Sequence, residues 1–142
     1  MCLDILNINK DIHVAEADII VYKYLRVVGK NLETPFQNFP VKIGEKYESE
    51  LNVRSMGDID KNVPDDYVVK FVTNGLHSFV RFKDAYNAYI RCSNRVVVEC
   101  VIPKDSKYYI GEFDGLLSYA STELVYVKKY SKLSCFFKNT LN

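Results

Sequence analysis

An imidazole and a hydroxyl stand next to each other in residues 75–79, on His77 and Ser78, just before a predicted helix. Backbone N–H groups at the start of a helix attract anions, and an imidazole beside them can add a hydrogen bond. The segment therefore predicts an anion-binding site. The alternative is structural, with Gly75 forming a turn and Ser78 capping the helix.

A carboxylate lies beside two hydroxyls in residues 119–126, where Ser121 and Thr122 precede Glu123 at the start of a predicted strand. A carboxylate in that position can stabilise a cation or accept a proton. The alternative is an ordinary exposed strand end, and the sequence leaves both interpretations open.

The thiols do not form a metal-binding pattern. Cys2, Cys92, Cys100 and Cys135 are widely spaced, and the chain has 2 histidines, so we predict neither a metal site nor a cofactor. Cys100 lies in an apolar run and is predicted to be a small buried hydrophobe. Phosphate-binding loops and hydrolase motifs are also absent. These absences favour a protein that is not an enzyme and leave an unusual enzyme open.

Basic and aromatic residues are concentrated towards the end of the sequence. Residues 65–142 carry 11 Lys/Arg against 8 Asp/Glu, whereas residues 1–64 carry 8 against 10. Lysines interleaved with aromatic rings suit a nucleic-acid backbone or an acidic protein surface. The alternative is a solvated edge strand whose lysines discourage aggregation. The candidate partner-binding residues are Arg91, Arg95, Lys128, Lys129, Tyr130 and Lys132.

Strands are the main elements available to position these residues. Runs of β-branched and aromatic side chains predict strands at residues 19–28, 67–72, 95–102, 107–110 and 123–127. A turn at Gly44 predicts a hairpin over residues 41–53. One main helix is predicted at about residues 79–91, where Phe82, Ala85 and Tyr86 recur at helical spacing.

Together these elements predict an α+β fold: a β-rich single domain with a twisted, mainly antiparallel sheet and one main helix. Residues 1–17 are predicted to form an N-terminal arm or short helix ahead of the domain at 18–142. The length of 142 residues suits one domain, and 48% hydrophobic residues suffice for a core. The net charge of +1 does not indicate a nucleic-acid or membrane partner. With no signal peptide or apolar span and with widely spaced thiols, we expect a cytoplasmic protein.

Several runs resemble small, mostly uncharacterised proteins carried by phages. The resemblance lies in residues 21–23, 75–78, 102–104, 108–111 and 119–121. It implies a non-enzymatic binding protein of the host-cell cytoplasm that inhibits a host defence system, as anti-CRISPR proteins do. Its partner would be a host protein or ribonucleoprotein complex, with nucleic acid contacted through that partner and no membrane. A minor virion structural protein is a further alternative.

The order of elements also resembles the ADP-ribosyltransferase fold. Lys23, Ser78 and Glu123 fall where that family places an Arg or His, a serine-rich strand and a glutamate around the nicotinamide end of NAD. The resemblance implies an NAD-using enzyme, or a protein that binds a nucleotide ligand. Glu123 would then stabilise the oxocarbenium-like centre, and Lys23 and Ser78 would orient the dinucleotide.

Overall fold

The computed structural model describes residues 3–35, 37–56, 64, 66–91 and 94–130, with backbone alone at 88–91. Strands dominate this part of the chain: β1 Leu3–Leu6, β2 His13–Val14, β3 Ile19–Val28, β4 Asn31–Glu33, β5 Pro40–Val41, β6 Lys46–Glu48, β7 Asn52–Ser55, β8 Val68–Asn74, β9 Leu76–Phe79, β10 Arg95–Ile102, β11 Lys107–Phe113, β12 Leu116–Ser121 and β13 Glu123–Lys129. A 3₁₀ helix covers Asn7–Asn9 and an α-helix, α1, covers Phe82–Arg91. Over the described residues, neither helix has the length and apolarity that a bilayer crossing demands.

All of these strands belong to one antiparallel sheet. Its main order is β6-β13-β10-β3-β9-β12-β11-β1-β8-β7, with β2, β4 and β5 attached at its margins. β6 and β7 stand at opposite ends of this order, yet residues 49–51 are all that separate them in the chain. The sheet must therefore curl. The backbone N–H of Ser49 donates to Thr122 O over 2.9 Å, and Ser49 Oγ lies 3.4 Å from Asn74 Oδ1, which holds this connection across the two ends.

Side chains alternate between the two faces of the sheet, and each face is buried separately. Val21 and Leu25 of β3 pack on one face with Leu124 and Tyr126 of β13. The other face carries a separate aromatic cluster, in which Tyr22, Tyr24, Phe79, Phe82 and Ala85 pack between the sheet and α1. Burying one large apolar side chain stabilises a fold by about 1.5–3 kcal/mol. Burial of apolar side chains on both faces therefore contributes much of the free energy that stabilises this sheet.

The β-rich, antiparallel architecture and the bounds predicted for β3 and β10 are confirmed. A single ten-residue helix among the described residues does not establish the α+β class. That helix begins at Phe82, about three residues later than predicted. Residues 76–79 form β9 instead, because β12 provides a partner for their backbone over four registered pairs. Ser78 is therefore a buried strand residue, and its assignment as a helix cap is wrong.

The expected N-terminal arm is part of the sheet. β1 lies between β11 and β8, and its Leu3 and Ile5 are fully buried in a cluster with Val72. A side chain at Gly111 of β11 would overlap the carbonyl oxygen of Asp4, so β1 can approach this closely only because the position is glycine.

The hairpin predicted over residues 41–53 is also wrong. β5 pairs with β4, and β6 pairs with β13, so the two strands flanking Gly44 have different partners. The reason is tertiary: β13 pairs with β6 at three registered positions, Glu123 to Val125, whereas a two-residue β5 offers few hydrogen bonds.

Candidate functional site

The pairing of β3 is interrupted along the edge that faces away from β10. β9 pairs with this edge at Tyr22 alone, opposite Phe79, and β4 takes over at residues 26–28. Among the described strands, none pairs with residues 23–25 on this edge. The sheet splits here, and a cavity of about 220 Å³ occupies the gap. Lys23 and Tyr24 line it from β3, and residues 75–77 line it from the β9 side.

Lys23 is a charged residue at a core position of β3. Its neighbours on the same face, Val21 and Leu25, are fully buried. The Lys23 amine is enclosed by protein although the residue keeps part of its surface exposed. Nζ donates a 2.8 Å hydrogen bond to the carbonyl oxygen of His77 and thereby bridges the split. No ion pair involves Lys23 within the described part of the chain.

This enclosure changes the protonation of Lys23. Loss of hydration disfavours the ammonium and lowers the pKa of Lys23 to about 8, and the nearby Cys100 opposes the shift. The amine is therefore mostly protonated at pH 7 and half neutral about one pH unit higher. A cation without a carboxylate partner at the wall of a cavity gains energy from any anion that enters.

His77 presents a second polar group to the same cavity. Its ring packs between Phe79 and Phe113, with centroids 4.8 Å and 4.7 Å away, and its buried Nε2 has no hydrogen-bond partner among the described residues. Burial, followed by the charge of Lys23, lowers the pKa of His77 well below its usual value, so the imidazole is neutral at neutral pH. A ligand atom that reached this nitrogen would satisfy its hydrogen-bonding capacity.

Aromatic rings form the opposite wall. Phe39 packs edge-on against Tyr47 at 5.9 Å, and Tyr47 packs edge-on against Tyr126 at 5.4 Å. The hydroxyl of Tyr47 accepts a hydrogen bond from the backbone N–H of Lys42 and donates one to Glu45, which fixes its ring. Polar side chains complete the lining: Thr34, Gln37, Glu48, Ser49, Thr73 and Asn74. The Glu48 carboxylate is paired with Lys46 at 3.4 Å. The cavity therefore combines flat apolar walls with two buried polar groups, the usual composition of a small-molecule site.

The structure does not bring together the three residues of the transferase-like pattern. Lys23 lines the cavity, whereas Ser78 and Glu123 do not. The Glu123 carboxylate accepts a 2.8 Å hydrogen bond from Ser106 and lies 3.4 Å from Lys46 Nζ. These contacts, chiefly that with Ser106, lower the pKa of Glu123. The anion site predicted at residues 75–79 contributes His77 to the cavity, but from a strand rather than from a helix start.

Two of the candidate partner-binding residues, Lys128 and Lys129, lie at the end of β13, where Val98 of β10 is opposite Lys129. Lys128 and Lys129 are exposed, and Lys128 Nζ lies 5.2 Å from the Tyr130 ring centre. Tyr130 is partly buried and donates a 2.9 Å hydrogen bond to Glu99, so it is more a packing residue than a surface ligand.

The remaining three candidates are Arg91, Arg95 and Lys132. The Arg95 guanidinium covers Tyr24 at 5.0 Å. Arg91 ends α1 and is described by its backbone alone, and Lys132 lies outside the described residues.

The cavity itself was missed by the sequence analysis, although one signal pointed to it. In a strand whose inward positions are Val21 and Leu25, period-two alternation places Lys23 inward as well. A lysine on a core face needs either a partner or a functional reason. The wall residues Phe39 and Tyr47 carry no such signal, because their position depends on how β4, β5 and β6 pair.

Within the part of the chain that the structure describes, no three His, Cys, Asp or Glu side chains are grouped so that they could hold a metal ion. No protein-family model, curated protein or solved structure matches this chain.

Replacing Lys23 by methionine should stabilise the protein, because the change removes an enclosed charge and keeps an unbranched side chain. We expect the free energy of unfolding at pH 7 to rise by about 1–3 kcal/mol, in proportion to the lowered pKa of Lys23. Urea unfolding at pH 7 measures this difference. The matched control is Lys83→Met on the exposed surface of α1, which should change stability by less than about 0.5 kcal/mol.

The same three proteins, wild type and the two methionine variants, also test how the free energy of unfolding changes with pH. Between about pH 8 and 10.5 the unfolded chain keeps the Lys23 proton and the folded chain does not, so this residue makes wild-type stability rise with pH across that window. Lys23→Met should lack that contribution. A methionine variant that is less stable than wild type, with an unchanged pH profile, would contradict an enclosed amine.

Proposed function

We propose that this protein is a binding protein that sequesters a compact anionic ligand with a flat ring, such as a nucleotide fragment, in the cavity between β3 and β9. The observation that carries this proposal is the pair of polar groups at the split. Among the described residues, the Lys23 amine has no carboxylate partner and the buried Nε2 of His77 has no hydrogen-bond partner.

Charge and shape support an anionic, ring-bearing ligand. A bound anion would pair with Lys23 where hydration is poor, so the contact would be stronger than the same pair in water. Tyr47, Phe79 and Phe113 give the cavity flat apolar walls on two sides. Aromatic walls favour stacking or edge-on contact with a planar ring. His77 Nε2 would then add a directed hydrogen bond that selects among rings.

Size supports a mononucleotide-sized ligand over a dinucleotide. The cavity of about 220 Å³ is smaller than the roughly 300–1,000 Å³ of sites for drug-sized ligands. NAD would have to extend well outside it. Glu123 does not line this cavity, so the transferase alternative has less support here than simple binding.

A second candidate function is the inhibition of a host defence complex by a phage-encoded protein. Its support is the pair of exposed lysines, Lys128 and Lys129, at the end of β13 that pairs with β10. Glu99 lies opposite Lys128 and offsets part of this charge. The two functions are compatible, because the exposed lysines do not line the cavity.

Adenosine monophosphate and adenosine form a matched pair of probes for the cavity. We expect the monophosphate to bind wild type by calorimetry at pH 7 at least about tenfold more tightly than adenosine, since only the nucleotide can pair with Lys23. Its affinity should fall about tenfold between pH 7 and 9, as Lys23 loses its proton and the phosphate charge stays constant.

Lys23→Met separates cavity binding from adsorption to the basic surface. This variant should lose the preference for the nucleotide and the pH dependence, whereas Lys128→Glu should keep both. Nucleotide binding that is equal in wild type and Lys23→Met would refute the cavity as the site.

Reversing both exposed charges, with Lys128→Glu and Lys129→Glu together, tests the second candidate. We expect retention of a partner complex from a bacterial lysate to drop at least about fivefold, and more strongly at low salt, where charges are least screened. The control is Lys104→Glu, an exposed lysine in the turn after β10. Retention that is equal in all three proteins would rule out this surface.

A further inference from the structure

Lys23 has the placement that a covalently reacting amine requires. Its side chain lines an open cavity, and no carboxylate in the described residues holds it as a fixed ion pair. The hydrogen bond from Nζ to His77 O orients the amine and occupies one of its hydrogens. In the neutral amine, the lone pair stays available for a ligand atom in the cavity.

We propose that Lys23 captures a carbonyl-bearing ligand, an aldehyde or reactive ketone, as an imine inside this cavity. The inference rests on the proposed function, since it uses the same cavity and the same ring- and anion-binding groups. It adds the chemical class of the ligand and a covalent bond.

The reaction balances without a further reagent. The Nζ lone pair attacks the carbonyl carbon, a C–N bond forms, and the carbonyl π electrons move to oxygen, which takes up a proton. Nitrogen then loses a proton to give a carbinolamine. A second proton converts the hydroxyl to water, which leaves as the nitrogen lone pair forms the C=N bond, and the protonated imine releases its remaining N–H proton to solvent. Amine and carbonyl thus give imine and water. His77 also lines this cavity, and in the tautomer that carries the proton on Nε2 its imidazole would donate a hydrogen bond to the carbonyl oxygen.

The protonation states of Lys23 and Cys100 favour Lys23 as the nucleophile in this cavity. With the pKa of Lys23 at about 8, about a tenth of the amine is neutral at pH 7, against less than about a thousandth of an ordinary surface lysine. Attack requires the neutral form. Cys100 does not compete as a nucleophile, because burial raises the pKa of its thiol to about 12 and keeps it protonated.

Pyridoxal 5′-phosphate is a suitable probe because it joins a ring, an anion and an aldehyde. The native protein is incubated with it at pH 7.5, the imine is reduced with cyanoborohydride, and the labelled peptides are mapped by mass spectrometry. We expect Lys23 to be labelled at least about tenfold faster than exposed Lys83, with a mass increment of the probe less water plus two hydrogens. Excess pyridoxine 5′-phosphate, which lacks the carbonyl, should suppress the labelling.

Lys23→Arg is the variant that separates covalent capture from binding. Arginine keeps the positive charge and cannot form the imine, so it should bind pyridoxine 5′-phosphate and show no label at residue 23. Should this variant fail to fold, the wild-type peptide map decides by itself. Label spread evenly over surface lysines, with Lys23 unlabelled, overturns covalent capture. If adenosine monophosphate still binds in that case, the proposed function stands; if it does not bind either, both fall.

Discussion

The interaction on which this structure depends for its functional features is the hydrogen bond from Lys23 Nζ to His77 O. β3 and β9 share one registered pair, and beyond it the two strands diverge. Backbone hydrogen bonds would ordinarily join them there, and a side-chain amine joins them instead. Where this one side-chain hydrogen bond takes the place of backbone hydrogen bonds, the sheet has an opening, a charge is enclosed and an imidazole is buried. A continuous β3–β9 ladder would leave no cavity at this place.

The curl of the sheet supplies the rest of the site. Because residues 49–51 link the two ends of the strand order, Ser49 contacts Asn74, and Tyr47 and His77 line the same opening. β4 and β5 add Thr34 and Phe39 at the margin. The site thus draws on segments far apart in the chain, and members of the hydrophobic clusters that hold those segments, such as Tyr126 and Phe79, also line the opening. The unfavourable free energy of enclosing the Lys23 charge is offset by the burial of apolar side chains in the surrounding core.

The sequence predicted those parts of the fold that local pattern determines. Continuous β-branched runs identified β3 and β10 to the residue, because such runs suit a buried strand whatever its partners are. β1 and β9 were missed because each is short, and each becomes a strand only when distant neighbours offer it hydrogen bonds. Ser78 illustrates the limit: hydroxyl, glycine and a following helical pattern are typical of a cap, and the pairing with β12 overrides them. At the site, the sequence alone identified Lys23 and His77 as residues that could do chemistry. The aromatic wall could not be predicted, because its position depends on which strands pair in the folded protein.

The central claim is that the Lys23 amine is enclosed, without a carboxylate partner in the described chain, and ready to receive an anion. A carbon-13 NMR titration that follows the Lys23 Cε resonance measures its pKa directly, without and with adenosine monophosphate. This account predicts a pKa near 8 in the unbound protein and a higher value when the nucleotide is bound, because the anion favours the ammonium. A pKa above 10 that the nucleotide does not move would contradict it.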